Sequence, residues 1–192
     1  MIDIHCHMLP GVDDGSDSMD TSLLMASMAA ESGVETVIVT PHCNIPGEAA
    51  NYPSRELLGR FMALRETIDA AKIPLRILAG AEVFCTEDIA ELIRAKKLLT
   101  LASSRYILVE FAFNEDSIEM NSCLEQIFAE GLTPVIAHPE RYNAVQRDRT
   151  LPERWFASGY VLQVNKDSIF GGLGQRAKRT AEFIPVSYTH LR

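Results

Sequence analysis

The sequence of 192 residues predicts an α/β fold built from parallel strands and helical crossovers. Short runs rich in apolar and β-branched residues alternate with longer segments whose apolar residues recur at helical spacing. Parallel strands need such crossovers, because a tight turn cannot join them. The chain has no glycine fingerprint for dinucleotide binding. We therefore expect a barrel or a large part of one, and the alternative is a doubly wound open sheet.

Six segments fit the strand pattern because Ile, Val, Leu and Tyr recur in them. The predicted strands cover 2–5, 34–40, 75–83, 106–111, 133–138 and 160–165. The predicted helices cover 17–32, 53–72, 86–96, 117–130 and 166–183, with a broken helical stretch at 140–157. Gly33 and Gly131 stand where two helices should stop, and Pro53 stands where another should begin.

Composition limits the classes of function. The formal net charge of −8 disfavours a general nucleic-acid binder, since phosphate backbones are held mainly by Lys and Arg. No apolar run reaches the roughly 18 residues that a membrane span requires, and no signal-peptide pattern opens the chain. The four cysteines form no CxxC pair and are interpreted as reduced, buried thiols. We expect one domain, located in the cytoplasm.

Residue types that bind metals stand at the ends of the predicted strands, and four of the five histidines are among them. The C-terminal ends of the strands of a parallel barrel converge on one face, where active sites are built. One such residue alone is more often a satisfied polar group than a ligand. Together they predict a divalent-metal cluster. Its predicted ligands are His5, His7, His42, Glu82, Glu110 and His138.

The first strand ends in a His-Cys-His triplet. Residues two apart on a strand face the same side, so His5 and His7 can reach one ion while Cys6 points elsewhere. Imidazole and carboxylate ligands without thiolate favour Mn²⁺, Fe or Zn²⁺, and the residues do not choose among the three. Two or more ions about 3.5–4 Å apart would clamp a phosphate and generate a hydroxide nucleophile at neutral pH. Glu82 is well placed to bridge them.

A turn-rich loop follows His7 and contains Asp13 and Asp14. Asp-Gly is common in solvated turns, which is the alternative interpretation of this segment. We expect instead that one of the two aspartates ligates a further metal ion, and Asp14 is the better candidate.

Arg141 stands three residues after His138. A guanidinium there can fork onto phosphate oxygens and stabilise charge that develops in the transition state. The alternative is that Arg141 pairs with a surface carboxylate. We favour the catalytic role.

Cysteine-based phosphatase chemistry is excluded by inspection. That mechanism needs an arginine six positions after the nucleophile, in a Cys-x5-Arg loop. The residues six positions after the four cysteines are Val12, Ala49, Glu91 and Ala129.

The predicted ligands lie in five short segments, which are residues 1–15, 40–42, 80–82, 108–111 and 137–141. These segments resemble the successive motifs of the polymerase-and-histidinol-phosphatase (PHP) superfamily. Within it the chain is most similar to the bacterial capsular and exopolysaccharide tyrosine-protein phosphatases. The resemblance runs from residue 1 to about residue 183, and the opening fifteen residues are its most specific part.

This resemblance implies a distorted (β/α)7 barrel of the TIM type with a trinuclear, manganese-dependent site. It also implies hydrolysis of phosphotyrosine on the tail of a membrane-associated tyrosine autokinase that controls capsule or exopolysaccharide production. Two alternatives stay open. One is a small-molecule phosphatase of the histidinol-phosphate type, and the other is a non-catalytic barrel module.

The end of the chain departs from the family pattern. The family continues into a final strand with an Asp-x-His pair that completes the metal site, and residues 184–192 contain no such pair. We expect residues 1–184 to form a single PHP-type domain that is incomplete at its C-terminus. Residues 185–192 are interpreted as a non-native tail, and the missing strand is expected to impair activity.

Overall fold

The computed structural model describes residues 1–48 and 50–188. Within this range the chain forms two compact units. The first comprises Met1–Phe84 and Leu92–Ile107, and the second comprises Cys85–Glu91 and the chain from Leu108 onward.

Strands and helices alternate along the described residues. The strands are β1 (Ile2–Cys6), β2 (Thr36–Val39), β3 (His42–Cys43), β4 (Arg76–Ala79), β5 (Glu82–Phe84), β6 (Tyr106–Glu110), β7 (Thr133–Ala137) and β8 (Val161–Gln163). The α-helices are α1 (Met19–Glu31), α2 (Arg55–Ala70), α3 (Ile89–Arg94), α4 (Ser117–Ala129), α5 (Asn143–Arg147), α6 (Leu151–Ala157), α7 (Lys166–Phe170) and α8 (Gln175–Tyr188). Two short 3-10 turns lie at Leu101–Ser103 and Pro139–Arg141.

The first unit is organised by a parallel three-stranded sheet in the order β1, β2, β4. Its core includes Val37 of β2 and Ile77 of β4, which are register partners. Leu64 and Ile68 of α2 join this core and are fully buried. They are four residues apart, so they lie on one face of the helix. Burial of that face is what holds α2 in place.

Two predicted strands of this unit are shorter than expected. The predicted strand 34–40 ends at Val39, and the predicted strand 75–83 is divided into β4 and β5. Pro41 has no N–H with which to continue the ladder. Gly80 packs so closely that a Cβ there would lie 2.8 Å from Cγ2 of Ile38. His42 and Glu82 therefore begin new short strands, and the expectation that each ends a longer strand is wrong.

The second unit contains a parallel pair of strands, β7 and β8, with Ile136 and Leu162 as register partners. Its largest fully buried side chains include Trp155 of α6 and Tyr142. Trp155 Nε1 donates a hydrogen bond of 2.7 Å to Oδ1 of Asn121, so the buried indole keeps its polar partner.

The helix expected at 166–183 is two helices. Gly171 and Gly174 have φ angles of +87° and +92°, which glycine adopts without steric cost, and Gly171 caps the C-terminus of the first of the two helices. The second helix, α8, continues to Tyr188, beyond the predicted end. Of the predicted tail 185–192, residues 185–188 have helical backbone, and residues 189–192 lie outside the described part of the chain.

The predicted α/β class with parallel strands is confirmed by this architecture. None of the helices within residues 1–48 and 50–188 combines the length and apolar character needed to cross a bilayer.

Candidate metal centre

The first unit brings predicted ligands together around one buried carboxylate. Glu82 is fully buried at the start of β5. Its Oε2 atom lies 3.0 Å from Nε2 of His5 and 3.0 Å from Nε2 of His7. The same oxygen lies 3.3 Å from Nδ1 of His42. Three imidazole nitrogens thus surround a single carboxylate oxygen.

Backbone register explains why these side chains meet. The short strands β3 and β5 pair in parallel, with His42 directly opposite Glu82. His5 and His7 stand at the end of β1, and their Nε2 atoms are 3.1 Å apart. The same-side orientation of the His-Cys-His triplet is therefore as predicted.

The loop after β1 adds carboxylates, and its two aspartates differ. Asp13 Oδ2 lies 2.9 Å from Nδ1 of His7 and accepts a 3.0 Å hydrogen bond from the backbone N–H of His42. Its Oδ1 accepts from the backbone N–H of Gly15 at 3.0 Å. The side chain of Asp14 is 83% exposed, and its Oδ1 lies 3.4 Å from Nε2 of His42.

These contacts give the aspartates separate tasks. Histidines that bind metals commonly donate their second ring N–H to a carboxylate, which fixes the tautomer and the ring orientation. Asp13 is placed to do this for His7, so that Nε2 of His7 is directed at Glu82. The sequence indicated Asp14 as a ligand but did not reveal the orienting role of Asp13, because both residues have the same turn chemistry.

The electrostatics of this cluster favour a cation. Burial alone would lower the pKa of His7, but hydrogen bonds to Asp13 and Glu82 outweigh it and raise the pKa to about 10. Burial would raise the pKa of Asp13, but the hydrogen bond and charge of His7 lower it instead. The site therefore concentrates negative charge that protons or metal ions must balance.

The donor atoms also suit a divalent ion. One ligand atom from each of His7, His42 and Glu82 lies within 4.8 Å of the others, and the same holds for His7, Asp13 and Asp14. Ligand atoms that lie about 2.0–2.2 Å from a shared ion are at most about 4.4 Å apart, so small side-chain rotations bring each group around one ion. Imidazole and carboxylate are ligands of Mn²⁺, Fe and Zn²⁺.

Gly15 lets the loop that carries Asp13 and Asp14 pack directly against His7. A Cβ atom at this position would lie 2.3 Å from both Cβ and O of His7. The next residue, Ser16, donates its backbone N–H to the same carbonyl oxygen at 3.0 Å. No side chain larger than hydrogen fits between the two segments.

Replacing Gly15 by Ala is expected to lower the free energy of unfolding by about 1–3 kcal/mol, because backbone atoms must move to admit the methyl group. Metal affinity should fall as well, since the loop would carry Asp13 away from His7. Urea unfolding and metal titration measure the two effects. Gly59→Ala is the matched control, because nothing lies within 4 Å of its Cβ position on α2. Equal stability and metal affinity in G15A and G59A would contradict this account.

The second unit carries the other predicted site residues. Glu110 is the last residue of β6 and is buried, and His138 follows β7 and is also buried. His138 has φ 34° and ψ 53°, a left-handed conformation that is uncommon outside glycine. It turns the chain into the Pro139–Arg141 turn. Arg141 makes no ion pair with any carboxylate whose position the structure describes, so the alternative of a surface ion pair is not observed.

Glu140 is a buried carboxylate that sequence reasoning left without a role. Its Oε1 accepts hydrogen bonds from the backbone N–H of Asn165 at 3.1 Å and from Oγ of Ser168 at 2.7 Å. Burial raises its pKa, and these hydrogen bonds oppose the rise. Glu140 thus ties the turn that carries Arg141 to the start of α7. In the sequence, the only indication of this role was an acidic residue between His138 and Arg141.

Two of the four cysteines, Cys6 and Cys43, are unsuited to act as nucleophiles. Burial, with a smaller contribution from Asp3 and Asp13, raises the pKa of Cys6 to about 12. Burial raises the pKa of Cys43 to about 12 as well. Thiolates are the reactive form, so these groups are inert at neutral pH.

Comparisons with known proteins extend along nearly the whole chain. The profile of the family described as "Capsular polysaccharide synthesis, CpsB/CapC" matches residues 1–185. Tyrosine-protein phosphatase YwqE of Bacillus subtilis (strain 168) is 33% identical over 185 residues, which cover 93% of this chain and 69% of that protein. Tyrosine-protein phosphatase CpsB of Streptococcus pneumoniae is 31% identical over 188 residues, covering 95% of this chain and 76% of that protein.

Among solved structures, a similar chain comes from crystal structures of YwqE from Bacillus subtilis and CpsB from Streptococcus pneumoniae, described as unique metal-dependent tyrosine phosphatases. The TM-score is 0.86 at 31% sequence identity. The match covers 95% of this chain and 73% of that chain.

Proposed function

Because this chain belongs to the CpsB/CapC family of capsular polysaccharide synthesis proteins, we propose that it is a metal-dependent protein-tyrosine phosphatase. The observation that carries the proposal is the position of Glu82, a fully buried carboxylate whose Oε2 atom has three imidazole nitrogens within 3.3 Å. A carboxylate is costly to bury unless a cation compensates it. Divalent ions held by this cluster supply that charge.

The residues of the first unit would hold the ions as a preorganised set. His5, His7, His42 and Glu82 supply donor atoms, Asp14 supplies an exposed carboxylate, and Asp13 orients His7. When bound, divalent ions polarise a phosphoryl group and lower the pKa of a coordinated water molecule to near neutrality. From strand-end position in the sequence, we predict that Glu110 and His138 also contribute ligands.

Arg141 would bind the phosphoryl group. Its guanidinium makes no ion pair with the described carboxylates and can fork onto two phosphate oxygens. Charge that develops on those oxygens in the transition state is then stabilised by a fixed donor. Glu140 holds the turn that presents Arg141, through its bonds to Asn165 and Ser168.

The finer parts of the proposal follow the family resemblance. The substrate would be phosphotyrosine on the tail of a membrane-associated bacterial tyrosine kinase, and its dephosphorylation would regulate capsule or exopolysaccharide production. Manganese would be the metal in the cell, with Fe and Zn²⁺ as the alternatives that the ligands allow. The cytoplasmic location stays a prediction from the sequence.

Metal removal followed by reloading tests the proposal. The chain is stripped with a chelator and reloaded with Mn²⁺, Fe²⁺ or Zn²⁺, and turnover of a phosphotyrosine peptide is compared with turnover of histidinol phosphate. Restored hydrolysis of the peptide supports the proposal. A preference for histidinol phosphate would favour the small-molecule phosphatase, and metal binding without hydrolysis of either compound would favour a non-catalytic module.

A variant without cysteines is expected to keep its activity within about threefold. The absence of a Cys-x5-Arg loop and the high pKa of the Cys6 and Cys43 thiols both exclude them as nucleophiles. His7→Ala in the same assay should lose activity, because it removes a nitrogen donor next to Glu82. Circular dichroism and metal content establish that the cysteine-free variant is folded and loaded. A folded, loaded cysteine-free variant without aryl-phosphate hydrolysis would overturn the prediction.

A further inference from the structure

Phe113 is an exposed aromatic residue beside a phosphate-binding candidate. It lies in the loop between β6 and α4, and 46% of its surface is exposed. Its carbonyl oxygen accepts a 2.8 Å hydrogen bond from the backbone N–H of Asn143. The backbone of this loop is therefore tied to the chain segment that follows Arg141, although the ring itself is open to solvent.

The ring of Phe113 contacts a charged neighbour and two aromatic ones. The guanidinium carbon of Arg141 lies over the ring, 4.2 Å from its centroid. His138 and Tyr142 stand beside it, with ring centroids at 6.2 Å and 6.4 Å. Arg141 has no carboxylate partner among the side chains that the structure describes. A cation that pairs with none of the described carboxylates and an exposed apolar ring are thus in direct contact.

The chemistry of this pair selects one class of ligand. A guanidinium recognises a phosphate through two parallel N–H donors, and an exposed aromatic face recognises a second aromatic ring. A ligand that satisfies both groups carries a phosphate close to an aromatic ring. Aryl phosphates meet this requirement. Alkyl phosphates satisfy Arg141 alone, because they have no ring to place against Phe113.

We propose that Phe113 is the specificity-determining residue of the site, and that it selects aryl phosphates by packing against the ring that bears the phosphate. This inference rests on the proposed function, since it assumes that Arg141 binds the phosphate of the substrate. Phe113 takes no part in the bond-breaking step. Its effect is on the binding of the ring, so it should change KM for aryl substrates more than kcat.

A simpler role is that Phe113 only supports Arg141 through the cation–π contact. The two roles differ in their effect on the binding of a phosphate that carries no ring. Support for Arg141 affects every phosphate ligand equally, whereas a ring platform affects only ligands that contain a ring. Inorganic phosphate and phenylphosphonate, used as competitive inhibitors, separate the two cases because both carry the anion and only one carries the ring.

The test replaces Phe113 by Leu in the full metal-loaded chain, which keeps an apolar side chain and removes the aromatic face. We expect KM for a phosphotyrosine peptide and the inhibition constant of phenylphosphonate to rise about tenfold, which corresponds to about 1.4 kcal/mol. Both kcat and the inhibition constant of inorganic phosphate should stay within about twofold. Phe113→Tyr should restore the binding of phenylphosphonate.

Phe170→Leu is the matched control, because Phe170 is an exposed phenylalanine of the same unit. Melting temperatures of the variants establish that each is folded. Equal weakening of inorganic phosphate and phenylphosphonate by F113L would overturn the proposal and leave Phe113 as support for Arg141. Unchanged constants for both inhibitors would also overturn it. Failure of the proposed function would give a different result from failure of this inference, because the unmodified chain would then hydrolyse no aryl phosphate with any metal.

Discussion

Replacing Glu82 by Gln is expected to reduce metal-dependent hydrolysis of aryl phosphates by about a thousandfold. Three imidazoles converge on one oxygen of this carboxylate, so the amide removes the negative charge shared by all of them. Loss of several kcal/mol of charge stabilisation corresponds to a rate loss of this size. Metal content per chain should fall in parallel, because a neutral amide is a weaker ligand than a carboxylate.

Glu66→Gln on α2 is the matched control, since it makes the same change at an exposed position. Metal analysis and turnover of a phosphotyrosine peptide should be unaffected in E66Q. An E82Q variant that keeps full metal content and turnover would remove Glu82 from the site. Unfolding curves recorded with a chelator separate a loss of metal binding from a loss of fold.

Metal affinity is expected to rise steeply with pH in the neutral range. The pKa of His7 is raised to about 10 in the metal-free chain, so an ion must displace a proton to bind this imidazole. One displaced proton corresponds to about a tenfold gain in affinity for each pH unit below that pKa. The affinity should therefore increase about a hundredfold between pH 6 and pH 8. Calorimetric titration in buffers of different ionisation enthalpy measures the protons released.

The metal-free chain should show the opposite trend in stability. A histidine whose pKa is raised by folding contributes its full stability below the unfolded value near 6.5, and loses it as pH rises through about 10. Urea unfolding in the presence of a chelator should therefore show a falling free energy of unfolding between pH 7 and pH 10. Asp13→Asn should flatten both trends, because it removes the carboxylate that holds the His7 proton. A pH-independent affinity between pH 6 and pH 8 would contradict the prediction.

Several features of the fold were predictable because they depend on local patterns. Apolar β-branched runs located β1, β2, β6 and β7 to within a few residues. The same patterns failed at β3, which has only two residues and no periodicity to detect. They also failed to divide β4 from β5, because Gly80 lies within an apolar run of the sequence. Its close packing against Ile38, which divides the two strands, depends on the tertiary structure.

The candidate site was predictable to the extent that strand ends converge. That rule groups His5, His7, His42 and Glu82 from the sequence alone. It could not show that Asp13 orients His7, because that contact depends on how the loop after β1 folds back onto the strand. Nor could it single out Phe113, since exposure and contact with Arg141 depend on neighbours distant in sequence. Local pattern identifies which residues approach the site, and packing decides what each one does there.

The links between β2 and β3 and between β4 and β5 limit how the chain can vary in length. Gly80 donates its N–H to O of Val39 at 2.9 Å, and Glu82 donates to O of Pro41 at 3.0 Å, so each link is bonded to the other. One residue inserted into either link would shift the pairing by one position and turn its side chains to the opposite face. His42 would no longer stand opposite Glu82, although the sheet of β1, β2 and β4 would keep its core. Insertions and deletions here would therefore remove the site while leaving the fold, whereas helix-to-strand turns such as the one at Gly33 carry no such restriction.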